Sequence, residues 1–596
     1  MSDKQYRDPD EVRREQGIDA PMDKKSKVER LKAGSDGLRG NVREEMLDPE
    51  APAVSNDSYQ LMKHFGMYQQ DDRDTRKERR RAGLDKDYSF MVRTKVPGGL
   101  LTADQYLTLD DIAVRHSKGS LRLTTRQTIQ FHGVGKEKLC SLVRDLNREL
   151  MNSYGACGDV VRNTMSCPVI DIDPDPRWAG RGVFRELTRQ ISDRYLPRST
   201  AFYDVFIDGE RQDELGSKIK LRDEREDIYG ETYMPRKFKI GVTIPEDNCV
   251  DIFSQDLGLV ALIEDGEVQG YNVLAGGGLG FTHGKEDTYP RLATPVAFAS
   301  TRDVLYAVEA VVTIQRDYGN RVNRKRARLK YVLDELGPQW FHEEMVRRTG
   351  GRVEPARPIA PERWEMPDHL GWHEQKQSGL FYAGIFIENG RIVDKPGDPM
   401  RANLRKIVER FRPQVRITPQ QNLILCNVSA KHRREMDAML RDSGFSTKVK
   451  RGGLSELRRH EMACVALPTC GLALSESERV MPGIIGRLEE MGFGKERVSI
   501  RISGCPNSCS RPNMSEIGII GRAPNKFNLY VGGDFEGTRL NQLLHENIVT
   551  EDLAPRIGGL LRRWKQERRE GEAFGDWSLR AGVDALREVP PIGTRG

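Results

Sequence analysis

The chain has 596 residues, several times a typical domain, so it holds several domains or a repeated unit. Hydrophobic residues make up 37% and charged residues 31%, enough apolar side chain for a core, which excludes wholesale disorder. The net charge of +6 is nearly balanced and does not by itself argue for nucleic acid. No apolar run reaches the ~18 to 20 residues of a membrane span. The charged start MSDKQYRDPDEVRRE lacks the apolar core of a secretory signal. The expectation is a cytoplasmic protein without membrane association.

In chain order, residues 1–60 are polar and charged and predict an extended arm or wrap with one short helix, with order beginning near Tyr59. The basic run RKERRR at 76–81 reads as a solvated segment. SFMVRTKV (89–96) has strand character, whereas TADQYLTLDDIAVRH (102–116) and KLCSLVRDLNRELM (138–151) have helical character. The alternation predicts a mixed α/β (α+β) fold. GGRVEPARPIAPERWEMPDHLGW at 350–372 is Pro-rich and aperiodic, and reads as a crossover between two halves.

The halves are related. LRLTTRQTIQFHGV (121–134) aligns without gaps onto VRITPQQNLILCNV (415–428), sharing Arg122/Arg416, Thr124/Thr418, Gln127/Gln421 and Val134/Val428. GYNVLAGGG (270–278) aligns with KFNLYVGGD (526–534), sharing Asn272/Asn528, Gly276/Gly532 and Gly277/Gly533. Two matches in the same order predict a duplicated, pseudo-two-fold protein with its site at the seam; the period is too long for a solenoid.

Nine cysteines, an odd number, fit a reducing compartment rather than a disulfide scaffold. Cys140, Cys157, Cys167, Cys249 and Cys426 are scattered, while Cys464, Cys470, Cys505 and Cys509 crowd together as Cys-x5-Cys and Cys-x3-Cys. Structural zinc sites usually pair cysteines at tighter spacing, so zinc is the second reading. Four soft thiolates suit an iron–sulfur cluster. RVSIRI (497–502) reads as a strand leading into the tight loop that holds Cys505 and Cys509. Cys470 is expected directly before a helix, LSESERVMPGIIGRLEE, whose N-terminal amides would face the sulfurs.

ACVALPTC (463–470) and GCPNSCSRP (504–512) resemble the sulfite/nitrite reductase family of sirohaem and 4Fe-4S enzymes. The resemblance extends through FGMYQQDDRD (65–74), SFMVRTKVPGG (89–99), GACGDVVRN (155–163), YMPRKFK (233–239), LGWHEQ (370–375) and FGDWSLRAGV (574–583). It implies that Cys464, Cys470, Cys505 and Cys509 ligate one 4Fe-4S cluster. Cys509 would also link to the iron of one sirohaem. Beyond the polar arm at 1–60, which departs from the family, the resemblance implies ferredoxin-like half-domains at 61–160 and 346–448, and cofactor-binding halves at 161–345 and 449–596. KHFG (63–66) departs from the order usual in the family, which puts a role for His64 in doubt. Tyr68 and Cys157 are candidates for the covalent Tyr–Cys link that some relatives carry.

Several basic residues sit where their charge needs a reason. Arg93 lies inside the apolar run SFMVRTKV, Arg162 in DVVRN, and Lys237 and Lys239 alternate in PRKFKIGV on one face of an expected strand. Spacing alone also allows surface residues. The resemblance implies that Arg93, Arg162, Lys237 and Lys239 surround sulfite, a role suited to cations that hold an oxyanion and supply protons. It implies that Arg122, Thr124, Arg126, Gln130, Arg236, Arg328 and Asn507 contact the carboxylate-rich macrocycle. His132 reads as a core histidine, and the repeated glycines at 276–278 and 532–533 as backbone packed against cofactors.

Keeping both lysines and the ALPTC form of the first motif favours sulfite over nitrite. GGGLG (276–280) lacks the setting of a dinucleotide fold, so electrons are expected from a partner protein. YLTLDDIA, GACGD and LGWHEQ resemble the ferredoxin-dependent type, with an NADPH flavoprotein subunit second. Arg511 and RRWKQERR (562–569) are candidates for steering an acidic ferredoxin. The reading from another class is a zinc protein that binds nucleic acid through the four cysteines and RKERRR. It predicts a colourless protein, whereas a haem and a cluster absorb strongly.

Overall fold

The computed structural model describes residues 6–175, 182–199, 201, 226–445 and 453–593, with four two-residue strands between 206 and 220. The first small sheet has the order Met67–Asp71, Tyr88–Arg93, Ile129–Val134, Ser120–Leu123, Arg391–Lys395, Asp398–Pro399. The second has the order Gly371–Glu374, Leu380–Ile385, Leu423–Ser429, Gln414–Ile417, Leu100–Leu101. Each sheet borrows strand from the other half. Arg391 pairs with Arg122, and Leu100 pairs with Arg416. One apolar core therefore runs through both, from Phe90, Leu121 and Phe131 to Val415, Leu423 and Leu425.

Helices Ala103–His116 and Met400–Phe411 bury Tyr106, Leu109, Ile112, Leu404 and Ile407 in this core. The first begins at a capping box: Thr102 Oγ1 accepts from the Gln105 amide at 3.1 Å, and the Gln105 side chain accepts from the Thr102 amide at 3.0 Å. That closes the start of the helix at the Thr-Ala-Asp-Gln sequence.

Two larger sheets repeat one another. Met165–Ser166, Ile240–Thr243 and Leu257–Glu264 run parallel, followed by antiparallel Glu267–Ala275, Thr294–Ser300 and Val353–Glu354. Glu461–Ala463, Ile500–Ser503 and Ile517–Ala523 run parallel, followed by antiparallel Lys526–Val531 and Gln542–Val549. The shared succession of directions is the duplication expected from the sequence.

The repeated glycines allow close packing within the chain. Gly276 and Gly532 take φ of 78° and 96°, which favours glycine. A Cβ on Gly277 would overlap the carbonyls of Phe253 and Gln255, and one on Gly533 those of Ser515 and Met514. Here the backbone packs closely against the chain's own loops.

Residues 6–60 wrap the chain's own core, and hold more helix and begin their order earlier than expected. They form the helices Pro9–Glu15, Lys27–Ala33 and Val42–Leu47, and a fourth starts at Asn56. Val12 and Leu38 are fully buried against the chain's own core. Lys32 meets Glu29 at 2.6 Å and Asp159 at 3.5 Å, and Glu29 also holds Arg321. The arm looks polar in sequence because its charges are paired internally. RKERRR forms the short helix Arg76–Arg81 with no buried residue. Among the described residues, no helix is long and apolar enough to cross a membrane.

Candidate functional site

The four clustered cysteines lie at the ends of the last sheet's parallel strands and in the loops beyond. Cys464 follows Glu461–Ala463, Cys505 lies two residues beyond Ile500–Ser503, and these strands are adjacent. The Gly504 amide donates to Cys464 Sγ at 3.3 Å, and Asn507 Nδ2 to Cys505 Sγ at 3.5 Å. Helix Met481–Glu490 starts later than the sequence suggested, because 471–480 form turns ahead of Pro482 near the helix start. Its N-terminus is therefore not the source of amides for Cys470. The amides of Leu472 and Ala473 take that place.

Burial, and then the charge of Cys509, push the Cys464 thiol up to about 12 and raise Cys470 and Cys505 as well. Four thiols that would repel one another as thiolates occupy one space. That donor set fits a multiply charged iron cluster.

The turn 124–128 of the first half closes over this loop. Thr125 Oγ1 donates to the Cys509 carbonyl at 2.9 Å, and Arg511 Nη1 to the Thr125 carbonyl at 2.9 Å. Thr124 Oγ1 bonds Thr128 Oγ1 at 2.9 Å and accepts from the Arg126 amide at 3.2 Å, shaping the turn. Arg511 is buried and paired with Asp251, so it cannot meet a partner protein as expected. Lys565 and Arg568 of the 562–569 segment pair with Glu496 at 2.8 and 3.0 Å.

The basic residues come together beside Cys509. Phe238 is fully buried and bridges Val161, so Lys237 and Lys239 on either side of it face the opposite way. The regular strand begins only at Ile240; residues 237–239 are held extended by bonds from the Arg162 amide to the Phe238 carbonyl and from the Lys239 amide to Asp256. Burial, then Arg236 and Arg328, push Lys237 down to about 7. Burial and the neighbouring Lys237 push Lys239 well below the usual lysine range.

Arg162 Nε donates to the Gly158 carbonyl at 2.8 Å, and Arg93 Nη1 lies 3.2 Å from Cys157 Sγ. Gln130, with its amide oriented to accept, receives Arg93 Nε at 3.1 Å. Arg126 bonds Gln255 at 2.9 Å and the Asn163 carbonyl at 2.6 Å, while its buried Nε has no partner. Burial, then Arg162 and Arg511, lower Arg126 to about 9; burial, then Arg324, lower Arg236 to about 10. Among the described residues, none of Arg93, Arg126, Arg162, Arg236, Lys237 and Lys239 has a carboxylate within ion-pair distance.

Two expected site arginines have carboxylate partners of their own. Arg122 is fully buried and donates to Glu478 at 3.0 Å and to the Leu123 and Ala463 carbonyls. Arg328 makes a two-point pair with Asp256 at 2.7 and 2.9 Å. Their charge is already compensated, which suits them to positioning. Asp256, which holds both Arg328 and the Lys239 amide, escaped the sequence reading, as did Glu478 and Arg73. Arg73 donates to the Cys470 carbonyl at 3.4 Å. None carries a local signal, because each partner is distant along the chain.

His64 is buried between the Leu61 carbonyl and the Asp159 amide, at 3.1 and 3.2 Å, a packing role. His132 is likewise buried, 3.4 Å from Arg391. Tyr68 faces Cys157: burial and then that thiol raise its phenol pKa.

The chain matches the model of the nitrite and sulphite reductase 4Fe-4S domain over residues 157–352 and 493–590. It matches that of the nitrite/sulfite reductase ferredoxin-like half domain over 82–149 and 373–443, on the two small sheets. The chain belongs to the nitrite and sulfite reductase family. The matched stretches of the 4Fe-4S domain include Cys505 and Cys509, with Cys464 and Cys470 between them.

Curated relatives in this family include the sulfite reductase (NADPH) hemoprotein beta-component of Staphylococcus epidermidis, 42% identical over 95% of this chain and 97% of the relative. The protein of the same name from Geobacillus kaustophilus is 42% identical over 96% and 98%. The solved structure of Mycobacterium tuberculosis NirA superposes with a TM-score of 0.74 at 23% identity, over 94% of this chain and 97% of that one. This last likeness shows a shared fold.

Proposed function

We propose that the chain is the haemoprotein component of a sulfite reductase, reducing sulfite to sulfide at a sirohaem coupled to a 4Fe-4S cluster. The observation that carries this reading is the set of cations without carboxylate partners gathered beside Cys509. Burying such charges together is costly unless an anion compensates them. A carboxylate-rich macrocycle and an oxyanion supply that compensation. When bound, the sirohaem and cluster supply the iron that holds the substrate and the path for its six electrons.

Cys464, Cys470, Cys505 and Cys509 hold the cluster in this reading, with Cys509 shared with the haem iron. Arg126, Arg236, Thr124, Gln130 and Asn507 would receive the macrocycle, and Arg122 and Arg328, fixed by Glu478 and Asp256, would line its site. Arg93, Arg162, Lys237 and Lys239 hold the oxyanion. Their charge matters more as negative charge develops on oxygen. The two lysines, lowered by burial and by neighbouring cations, donate protons more readily than the arginines, which stay charged.

The electron donor is a flavoprotein subunit that oxidises NADPH. The names of the relatives support it over the ferredoxin expected from sequence, and the chain carries no nucleotide-binding stretch of its own.

The test is the purified holoprotein and its Cys509→Ser variant. The wild type should show the visible spectrum of both cofactors and form sulfide from sulfite with an artificial reductant. Cys509→Ser should lose or uncouple both cofactors. A colourless wild type, or a variant with full haem and cluster spectra, would contradict the assignment.

A further inference from the structure

Of the cysteines scattered in sequence, Cys167 and Cys249 lie outside the cofactor site and meet. Cys167 follows the strand Met165–Ser166, Asp247 and Cys249 lie in the turn after Ile240–Thr243, and His369 comes from the crossover. All four are buried, and two sulfurs, a carboxylate oxygen and a ring nitrogen lie within 4.8 Å of one another. Cys167 Sγ is 2.6 Å from Asp247 Oδ2 and 3.9 Å from His369 Nε2, which is 3.1 Å from the same oxygen.

Zinc bonds to sulfur at about 2.3 Å and to nitrogen or oxygen at about 2.0–2.2 Å in tetrahedral sites, which sets ligand atoms roughly 3.3–3.8 Å apart. The observed spans bracket that range: the Cys167–Asp247 contact has to open by about 1 Å and His369–Asp247 by a few tenths, while the wider spans have to close. Four ligands from three separated segments leave no open position, the arrangement of a structural rather than a catalytic metal.

We propose that Cys167, Asp247, Cys249 and His369 form a structural zinc site that fastens the crossover to the first half.

The surroundings suit the site. The Cys249 amide donates to Asp247 Oδ1 at 3.3 Å, which fixes the carboxylate and leaves Oδ2 toward the cluster. Gln420 Nε2 donates to the Cys249 carbonyl at 3.0 Å and ties the turn to the second half. His369 takes φ of 58°, a left-handed conformation uncommon for a non-glycine residue. A Cβ on Gly384 would overlap its carbonyl, so the neighbouring strand is shaped to receive this strained residue.

Zinc takes the two cysteines as thiolates and His369 as neutral imidazole, and any protons they carry are released on binding. Two thiolates, one carboxylate and Zn²⁺ leave a single net negative charge. The buried guanidinium of Arg416 lies near enough to Cys167 to feel its charge, although it is itself paired with Asp171.

The experiment is metal analysis of the holoenzyme purified without chelator or added zinc, with zinc X-ray absorption on the same sample. The expected result is about one zinc per chain beside the iron, with two sulfur neighbours near 2.3 Å. Cys249→Ala and His369→Ala should each lose at least nine-tenths of the zinc and lower the melting temperature, while keeping iron content and visible spectrum. Should either variant fail to fold, the absorption measurement on the wild type still decides. Iron-replete wild type that neither contains zinc nor retains it after incubation and gel filtration would overturn the site. So would a Cys167–Cys249 disulfide in an unreduced peptide map, or unchanged zinc in both variants. Protein prepared without sirohaem should keep its zinc, which separates this site from the proposed function.

Discussion

Gln127 and Gln421 reach across the pseudo-two-fold into each other's half. Gln127 Nε2 donates to the Ile417 carbonyl at 3.0 Å, and Gln421 Nε2 to the Leu123 carbonyl at 3.4 Å. Both residues have positive φ, 55° and 69°, and both close a turn back to a threonine, Thr124 or Thr418. The turn that carries Arg126 toward Cys509 is thus locked to the opposite half.

The pair is unequal, and that gives a prediction. Gln127 also bonds Ser166 in both directions, at 2.9 and 3.0 Å, whereas the Gln421 carbonyl oxygen is buried with no partner. Gln127→Ala should cost about 1–3 kcal/mol, the scale of leaving buried polar groups unsatisfied. Gln421→Ala should cost less. Denaturant unfolding of both variants checks the order, and equal losses would mean that only the cross-half bond matters.

Glu478 predicts a pH dependence. Burial pushes its carboxyl up, but Arg122 and Arg391, at 3.0 and 2.7 Å, hold it down at about 2. Because folding lowers this pKa, the stabilisation is complete above the unfolded value of about 4.3. It is lost as pH falls toward about 2. Glu478→Ala should cost about 3–5 kcal/mol near neutral pH, since the buried guanidinium of Arg122 and the half-buried one of Arg391 lose their partner. Its melting temperature should approach that of the wild type as both are acidified, measured by calorimetry from pH 6 to 3. A constant gap across that range would contradict the assignment.

The sequence made the duplication legible because the residues that build it, Arg122/Arg416 and Gln127/Gln421, are identical in both halves. It made the cluster legible because soft ligands crowd into two adjacent loops, and the basic site because cations alternate with apolar residues. It hid the arm's structure, because Glu29 and Lys32 are buried by pairing with Asp159 and Arg321, far along the chain. The burial of Arg511 depends on Asp251, equally distant. Cys167 and His369 stand 202 positions apart, so no local spacing could join them.

The donor prediction concerns the partner. Sulfide formation driven by NADPH should require an added flavoprotein subunit, and NADPH with this chain alone should give none. Reduced ferredoxin should support slower turnover than the flavoprotein at matched concentrations. Faster turnover with ferredoxin would restore the donor expected from sequence.

The most direct test of the central claim, that the uncompensated cations beside Cys509 are the sulfite site, is Lys239→Asn. Lys239 lies about 7 Å along the extended chain from Lys237, on the same face, so both ammonium groups can meet one oxyanion. Sulfite carries more negative charge than nitrite and should depend more on the second lysine. Steady-state kinetics on both anions with one artificial reductant should show sulfite kcat/KM falling on the order of 10²-fold, with nitrite far less affected. Equal losses on both anions, or a wild type that prefers nitrite, would contradict the account.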